Sequence, residues 1–158
     1  MPANATTLTP LERLIAESDI RQLIAQYVHQ IDDGKIDANA DLLADARFQV
    51  VDDVVTGRDA IARFFKQNVQ HHDDGTPRTW HDVTNTLFTF DSATTVSTLS
   101  YFTVHQALPG LPLQPIVTGR YADTFTFTHG AWRFASRHVQ PRLFGELGFH
   151  VAAPGTAA

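Results

Sequence analysis

The chain has 158 residues, of which 43% are hydrophobic and 18% charged, which is enough for one domain with a real core. A net charge of -5, with the 12 Lys and Arg scattered and never in a run, argues against a nucleic-acid partner, because phosphate binding needs a clustered basic surface. The absence of cysteine excludes disulfides, thiolate nucleophiles and cysteine-ligated metals and fits a cytoplasmic protein, while no apolar run reaches the length of a membrane span and the first residues lack a signal-peptide pattern.

Residues 1–8 read as a disordered start, 9–145 as the domain and 146–158 as a tail. Thr9-Pro10-Leu11-Glu12 is a helix-start signal: Thr9 caps, Pro10 suits the first helical position, and Glu12 can reach back to the cap. Leu11, Leu14, Ile15, Leu23, Ile24, Tyr27, Val28 and Ile31 follow at helical spacing. Ser18-Asp19 is a possible interruption, and Asp33-Gly34 ends the helix with Gly34 as a left-handed cap. A short second helix is expected from Asp37 to Ala46, burying Leu42 and Leu43. Phe48 to Val55 reads as a strand or a tight hairpin about Asp52-Asp53, and a third helix runs from Asp59 to about Gln70, burying Ile61, Phe64, Phe65 and Val69.

Gly75 and Pro77 then close a polar loop, and four long strands follow at about 79–90, 94–107, 114–128 and 131–142. Asp91-Ser92, Pro109-Gly110-Leu111-Pro112 and His129-Gly130 supply the turns, and such short connections make neighbouring strands antiparallel. The tail offers Phe149 and Val151 for packing. Helices first and a sheet afterwards define the α+β class, and a sheet wrapped over helices encloses a pocket of the kind that binds small molecules.

Strict alternation along 79–90 puts His81, Val83, Asn85, Leu87 and Thr89 on one face, with a polar entrance and an apolar floor. Asp32, at the end of the first helix, is a carboxylate that the helix dipole disfavours unless a partner stands nearby, and His81 is a candidate partner. Two uses are open to the pair. Asp32 could hold His81 in the tautomer that makes it a base, or the two could be a solvated turn residue and a satisfied wall histidine. Arg137, with the parity of Arg133, Ala135 and Val139, is a candidate for stabilising negative charge or for a surface ion pair. Tyr101, His105 and Asn85 are further candidates for the pocket wall. His71-His72-Asp73-Asp74 invites a metal, but adjacent histidines on a loop converge poorly on one ion, so no metal or other cofactor is expected.

The segment Ile20 to Gly34, the helix start Gly57-Arg58-Asp59-Ala60-Ile61, the strand His81-Asp82-Val83-Thr84-Asn85, Gly119-Arg120-Tyr121-Ala122-Asp123 and Gly130-Ala131-Trp132-Arg133-Phe134, in this order and spacing, resemble the SnoaL-like branch of the nuclear transport factor 2-like superfamily over about residues 10–145. The resemblance implies a cone of strongly curved mixed or antiparallel sheet, packed on three N-terminal helices around an apolar pocket, and assembly as a homodimer or homotrimer. It implies a cofactor-free lyase of the dehydratase or dehydrohalogenase type, eliminating water or HX from a small hydrophobic cyclic substrate. Asp32 and His81 stand at the positions of the catalytic dyad of that branch, Tyr27 at that of a catalytic tyrosine, and Arg137 at that of a catalytic arginine. The same branch contains double-bond isomerases, polyketide-cyclase-like enzymes and non-catalytic binding modules, which are the alternative functions.

Overall fold

The computed structural model describes residues 7–152. The first helix, α1 (Pro10–Asp32), opens on the expected capping box: Thr9 Oγ1 accepts from the Glu12 N–H at 3.3 Å, and the Glu12 carboxylate accepts from the Thr9 N–H at 2.7 Å. Ser18-Asp19 does not interrupt it; the helix is continuous, because neither residue has to leave helical geometry to be solvated. Its buried stripe is Ala16, Ile20, Ile24, Tyr27 and Val28, whereas Leu11, Leu14 and Ile15 are exposed. Gly34, at φ 70°, closes the helix, with the Lys35 N–H reaching back to the Gln30 carbonyl at 2.8 Å. A Cβ at Gly34 would collide with the Gly75 carbonyl oxygen, so the loop before the third strand seats directly on the end of α1. That contact fixes where Asp32 meets the sheet.

Helix α2 (Ile36–Leu42) is shorter than expected and α3 covers Arg58–Asn68. Arg58 joins them through Asp41 at 2.6 Å and Asp37 at 3.7 Å, and Asn39 donates to the Tyr27 carbonyl at 2.8 Å, bracing α2 against α1. The strands are β1 (Arg47–Val50), β2 (Asp53–Thr56), β3 (Thr79–Phe90), β4 (Thr95–Leu108), β5 (Leu111–Thr128) and β6 (Ala131–Phe144). Of the two forms open to residues 48–55, the structure takes the hairpin. The sheet is six-stranded and open, in the order β2-β1-β6-β5-β4-β3. Only β1 and β6 are parallel neighbours, so the sheet is mixed, and the α+β class holds. Among the described residues no helix is long and apolar enough to cross a membrane. The expected disorder of residues 1–8 concerns mainly residues outside the described range, as does the end of the tail beyond 152.

Two β-bulges decide which side chains face the helices. In β3, Thr84 pairs with Tyr101 but Leu87 pairs with Leu99, so two residues oppose one, and Asn85 takes φ 54°. Beyond the bulge the alternation is inverted. Thr79, His81 and Val83 face inward as expected, but Thr86, Phe88 and Phe90 continue that face, with Phe88 under the Arg21 guanidinium and Phe90 under Arg13 of α1. Leu87, 67% exposed, lies on the outer face with Thr89, and Asn85 is exposed at the bulge; these three do not line the cavity between sheet and helices. In β6, Thr124 pairs with Ser136 but Phe125 with Phe134, which leaves Ala135 as the extra residue. Arg137 therefore shares its face with Trp132, Phe134 and Val139, not with Arg133.

Candidate active site

Asp32 leaves the last turn of α1 pointing at the first residues of β3, and three donors converge on its carboxylate. His81 Nδ1 lies 2.6 Å from Oδ1, the Thr79 hydroxyl donates to the same oxygen at 2.7 Å, and the His81 backbone N–H donates to Oδ2 at 2.9 Å. Both side chains are largely buried, at 16% exposure for Asp32 and 7% for His81. Burial alone would raise the Asp32 pKa. The hydrogen bond and the charge of His81, its backbone N–H and the Thr79 hydroxyl outweigh that, so the carboxyl is held below its ordinary range and stays ionised. An ionised acceptor on Nδ1 makes Nδ1–H the protonated nitrogen of neutral His81 and leaves Nε2 with its lone pair.

His81 forms part of the wall of a cavity of about 330 Å³ between sheet and helices. The lining is mostly apolar, including Phe48, Phe64, Phe65, Phe102, Val104 and Val117, with Tyr27, Asn68, His81, Tyr121 and His150 among the few polar groups. Such a volume suits one small molecule with its surface largely desolvated. Tyr27 comes from α1 one turn before Asp32, its ring edge-on to Tyr121 at 5.9 Å. Burial raises the Tyr27 pKa to about 12, against the opposing charge of Arg137, so the phenol is kept as a hydrogen-bond donor.

Arg137 does not line the cavity. It is fully buried behind Tyr27 and Tyr121, forming a bidentate pair with Asp123 at 2.9 and 2.6 Å, with its guanidinium carbon 4.0, 4.1 and 4.8 Å from the ring centres of Tyr27, Tyr121 and Phe134. Burial would lower its pKa, but the Asp123 charge and hydrogen bonds more than reverse this and keep it charged. Arg137 Nη1 has no hydrogen-bond partner among the described residues. The sequence reading missed Asp123, yet its signal was present. Asp123 shares the parity of Tyr121 and Phe125 on β5, both buried, and stands opposite Arg137 in the register.

His150 was also missed. Residues 145–152 do not trail off; they fold back over the end of α3. The Gly145 N–H donates to the Ile116 carbonyl at 2.8 Å, Gln70 N–H to His150 at 2.8 Å, and Ala152 N–H to Asn68 at 3.0 Å, and Val69 bridges Val151. Phe149 and Val151, expected to pack, are each 47% exposed, but Val151 bridges Val69 and reaches the cavity wall together with His150. Burial, with the charge of His81 next, pushes the His150 pKa down to about 4, so its imidazole is neutral near pH 7.

The other candidates serve elsewhere. Tyr101 lies on the outer face under Arg120, and His105 makes an outer-face contact with Asp82 at 3.5 Å. Asp74 closes the turn before β3, accepting from Thr76 and Arg78, and His72 Nε2 lies 3.1 Å from the Phe149 carbonyl. Among the described residues no group of three or more His, Asp or Glu side chains is placed to hold a metal ion.

A three-helix, mixed-sheet α+β fold with an apolar cavity between its layers, walled by polar side chains from the end of α1 and the start of β3, is the architecture of the nuclear transport factor 2-like superfamily. Within it, the chain belongs to the SnoaL-like domain family, which matches residues 12–138. No curated protein matches the chain in sequence. Among solved structures, a candidate scytalone dehydratase from Novosphingobium aromaticivorans is similar at 20% identity over 95% of this chain and 99% of that one, with a TM-score of 0.71. Hexachlorocyclohexane dehydrochlorinase LinA-type3 from Novosphingobium barchaimii is similar at 21% identity over 92% and 100%, with a TM-score of 0.70. Rv3472 of Mycobacterium tuberculosis, a protein of unknown function, is similar at 22% identity over 85% and 76%, also with a TM-score of 0.70. At these identities the likeness is one of fold.

Proposed function

We propose that the protein is a lyase of the dehydratase or dehydrohalogenase type, acting with its own side chains on a small hydrophobic cyclic molecule. The observation that carries this is the Asp32–His81 contact of 2.6 Å in the wall of an apolar cavity. Nε2 of His81 takes a proton from a substrate carbon. The electron pair of that C–H bond becomes the new double bond, and the leaving group departs from the neighbouring carbon with the electrons of its own bond. Asp32 orients the imidazole and stabilises the imidazolium as it forms. The Tyr27 hydroxyl donates a hydrogen bond to the leaving group. A departing hydroxide takes its proton back from the imidazolium, whereas a halide needs none. The apolar wall removes water and so strengthens each of these interactions.

Arg137 contributes by position. Its charge, fixed by Asp123, lies under the rings of Tyr27 and Tyr121 and holds them against the cavity. Assembly as a homodimer or homotrimer and residence in the cytoplasm belong to the same proposal; the exposed apolar side chains Leu87, Leu143 and Phe144 favour assembly.

The test is incubation in D2O with cyclic alcohols, hydroxyketones and polychlorinated cycloalkanes, read by mass spectrometry, for the protein and for His81→Ala. Deuterium uptake, or loss of water or HCl, that vanishes in the variant is the expected result. Turnover that survives in a folded His81→Ala protein overturns the base assignment.

A further inference from the structure

The cavity has a second histidine that the proposed elimination does not use. His150 reaches the lining on a segment held from several sides. Besides the backbone bonds around it, the Gln70 side chain donates to the carbonyls of Gly148 at 2.9 Å and Val151 at 2.6 Å, and Gln106 donates to that of Phe149 at 3.0 Å. The ring position is thus set by the fold and is not that of a loose tail. Its Nδ1 is sealed from solvent and has no hydrogen-bond partner among the described residues. A buried polar atom left unpaired is costly, and a phenylalanine would fill the same space without that cost. Nδ1 is closed to the cavity as well as to solvent, whereas Nε2 is not among the sealed, unpaired atoms, so a polar group that enters the cavity meets this ring at Nε2.

We propose that His150 is a substrate-binding residue, which reads a hydroxyl or carbonyl oxygen other than the leaving group on an otherwise apolar ring compound. This rests on the reading of the cavity as the substrate site, and it narrows the substrate class. Nε2 of a neutral imidazole accepts in one tautomer and donates in the other, so it can meet an alcohol in either role and a ketone as donor. An anionic ligand is disfavoured, because the Asp32 carboxylate lies behind His81 and the wall has no exposed cation to offset it. The ligand spans two imidazoles, with a C–H bond toward His81 and its oxygen toward His150. The specificity is for where the oxygen sits on the ring relative to the acidic carbon.

The experiment is a binding titration that needs no turnover. The full chain, labelled with 15N, is titrated with cyclohexanol and, separately, with methylcyclohexane, a probe of similar size lacking oxygen, and the histidine ring 15N resonances are followed. Cyclohexanol is expected to move the His150 ring resonances and to bind about tenfold more tightly than methylcyclohexane, the ratio one hydrogen bond supplies. His150→Phe is expected to abolish that preference, and His150→Gln, which keeps a donor and an acceptor, to retain part of it. Equal affinity for the two probes, unmoved His150 resonances, or failure of both probes to bind overturns the proposal. Should His150→Phe not fold, the wild-type titration and His150→Gln decide alone. Discrimination by His150 with neither deuterium uptake by the substrate nor loss of water or HCl across the panel would refute the lyase and leave this inference standing. Exchange that is lost with His81 but indifferent to His150 would do the reverse.

Discussion

Acidification should destabilise this protein well before its carboxylates titrate, and His150 should be the cause. Burial beside His81 lowers the His150 pKa from 6.5 to about 4. The folded state therefore holds the ring neutral, while the unfolded chain takes up a proton as soon as the pH falls through 6.5. Between these values the unfolded state binds more protons, so stability rises with pH and is lost as pH falls. The full shift corresponds to about 3 kcal/mol, and about 2 kcal/mol of it is expressed on going from about pH 7 to about pH 4.5. Asp32 does not interfere in this window, because its folded pKa lies below the ordinary 3.8 and its contribution disappears only at more acid pH. The measurement is urea denaturation at a series of pH values for the wild type and His150→Gln, which cannot titrate. Subtracting the two curves removes every other group. The wild type should lose about 2 kcal/mol more than the variant over that range. Parallel curves would mean that His150 is solvated, and the account of the strap and of the cavity wall would fall with them.

Further expected outcomes concern the pair behind the cavity, the dyad and the strap. Arg137→Met leaves Asp123 buried without its partner and should cost about 3–5 kcal/mol in urea denaturation, whereas Arg137→Met with Asp123→Leu should be much milder; equal losses would refute the view that the uncompensated charge is what matters. His81→Ala should lower elimination by about 10²–10⁴-fold in a protein that still folds, and Asp32→Asn should lower the rate while substrate still binds; an unchanged rate and pH profile in Asp32→Asn would show that the carboxylate does not orient the base. Gln70→Ala removes two hydrogen bonds to the strap and should speed amide hydrogen exchange at residues 150–152 with little effect on the strands. Uniform acceleration over the whole sheet would show that the strap is part of the global unfolding unit.

The approach of Asp32 to His81 was legible because both stand beside strong local signals, whereas their reading as a catalytic pair came from the family resemblance alone. Gly34 ends α1 just after Asp32, Gly75 and Pro77 start β3 just before His81, and short-range turn chemistry placed both ends within a residue or two. What lay further along each strand was not legible, and the reason is geometric. One extra residue at Asn85 turns Leu87 and Thr89 outward, and one at Ala135 turns Arg137 inward toward Asp123. Neither bulge carries a glycine or a proline, so alternation gave no warning of where it would fail. His150 was hidden for a different reason: its position depends on bonds to Asn68 and Gln70, about eighty residues away, and on no periodicity of its own. These failures are connected to function. A bulge bends its strand, and bending lets an open sheet wrap a cavity instead of packing flat on the helices. The β6 bulge also buries the guanidinium that backs Tyr27 and Tyr121. The β6 bulge thus helps to build the cavity, since Val139 beyond it reaches the lining, whereas the β3 bulge lies past His81 and seats Phe88 and Phe90 against α1.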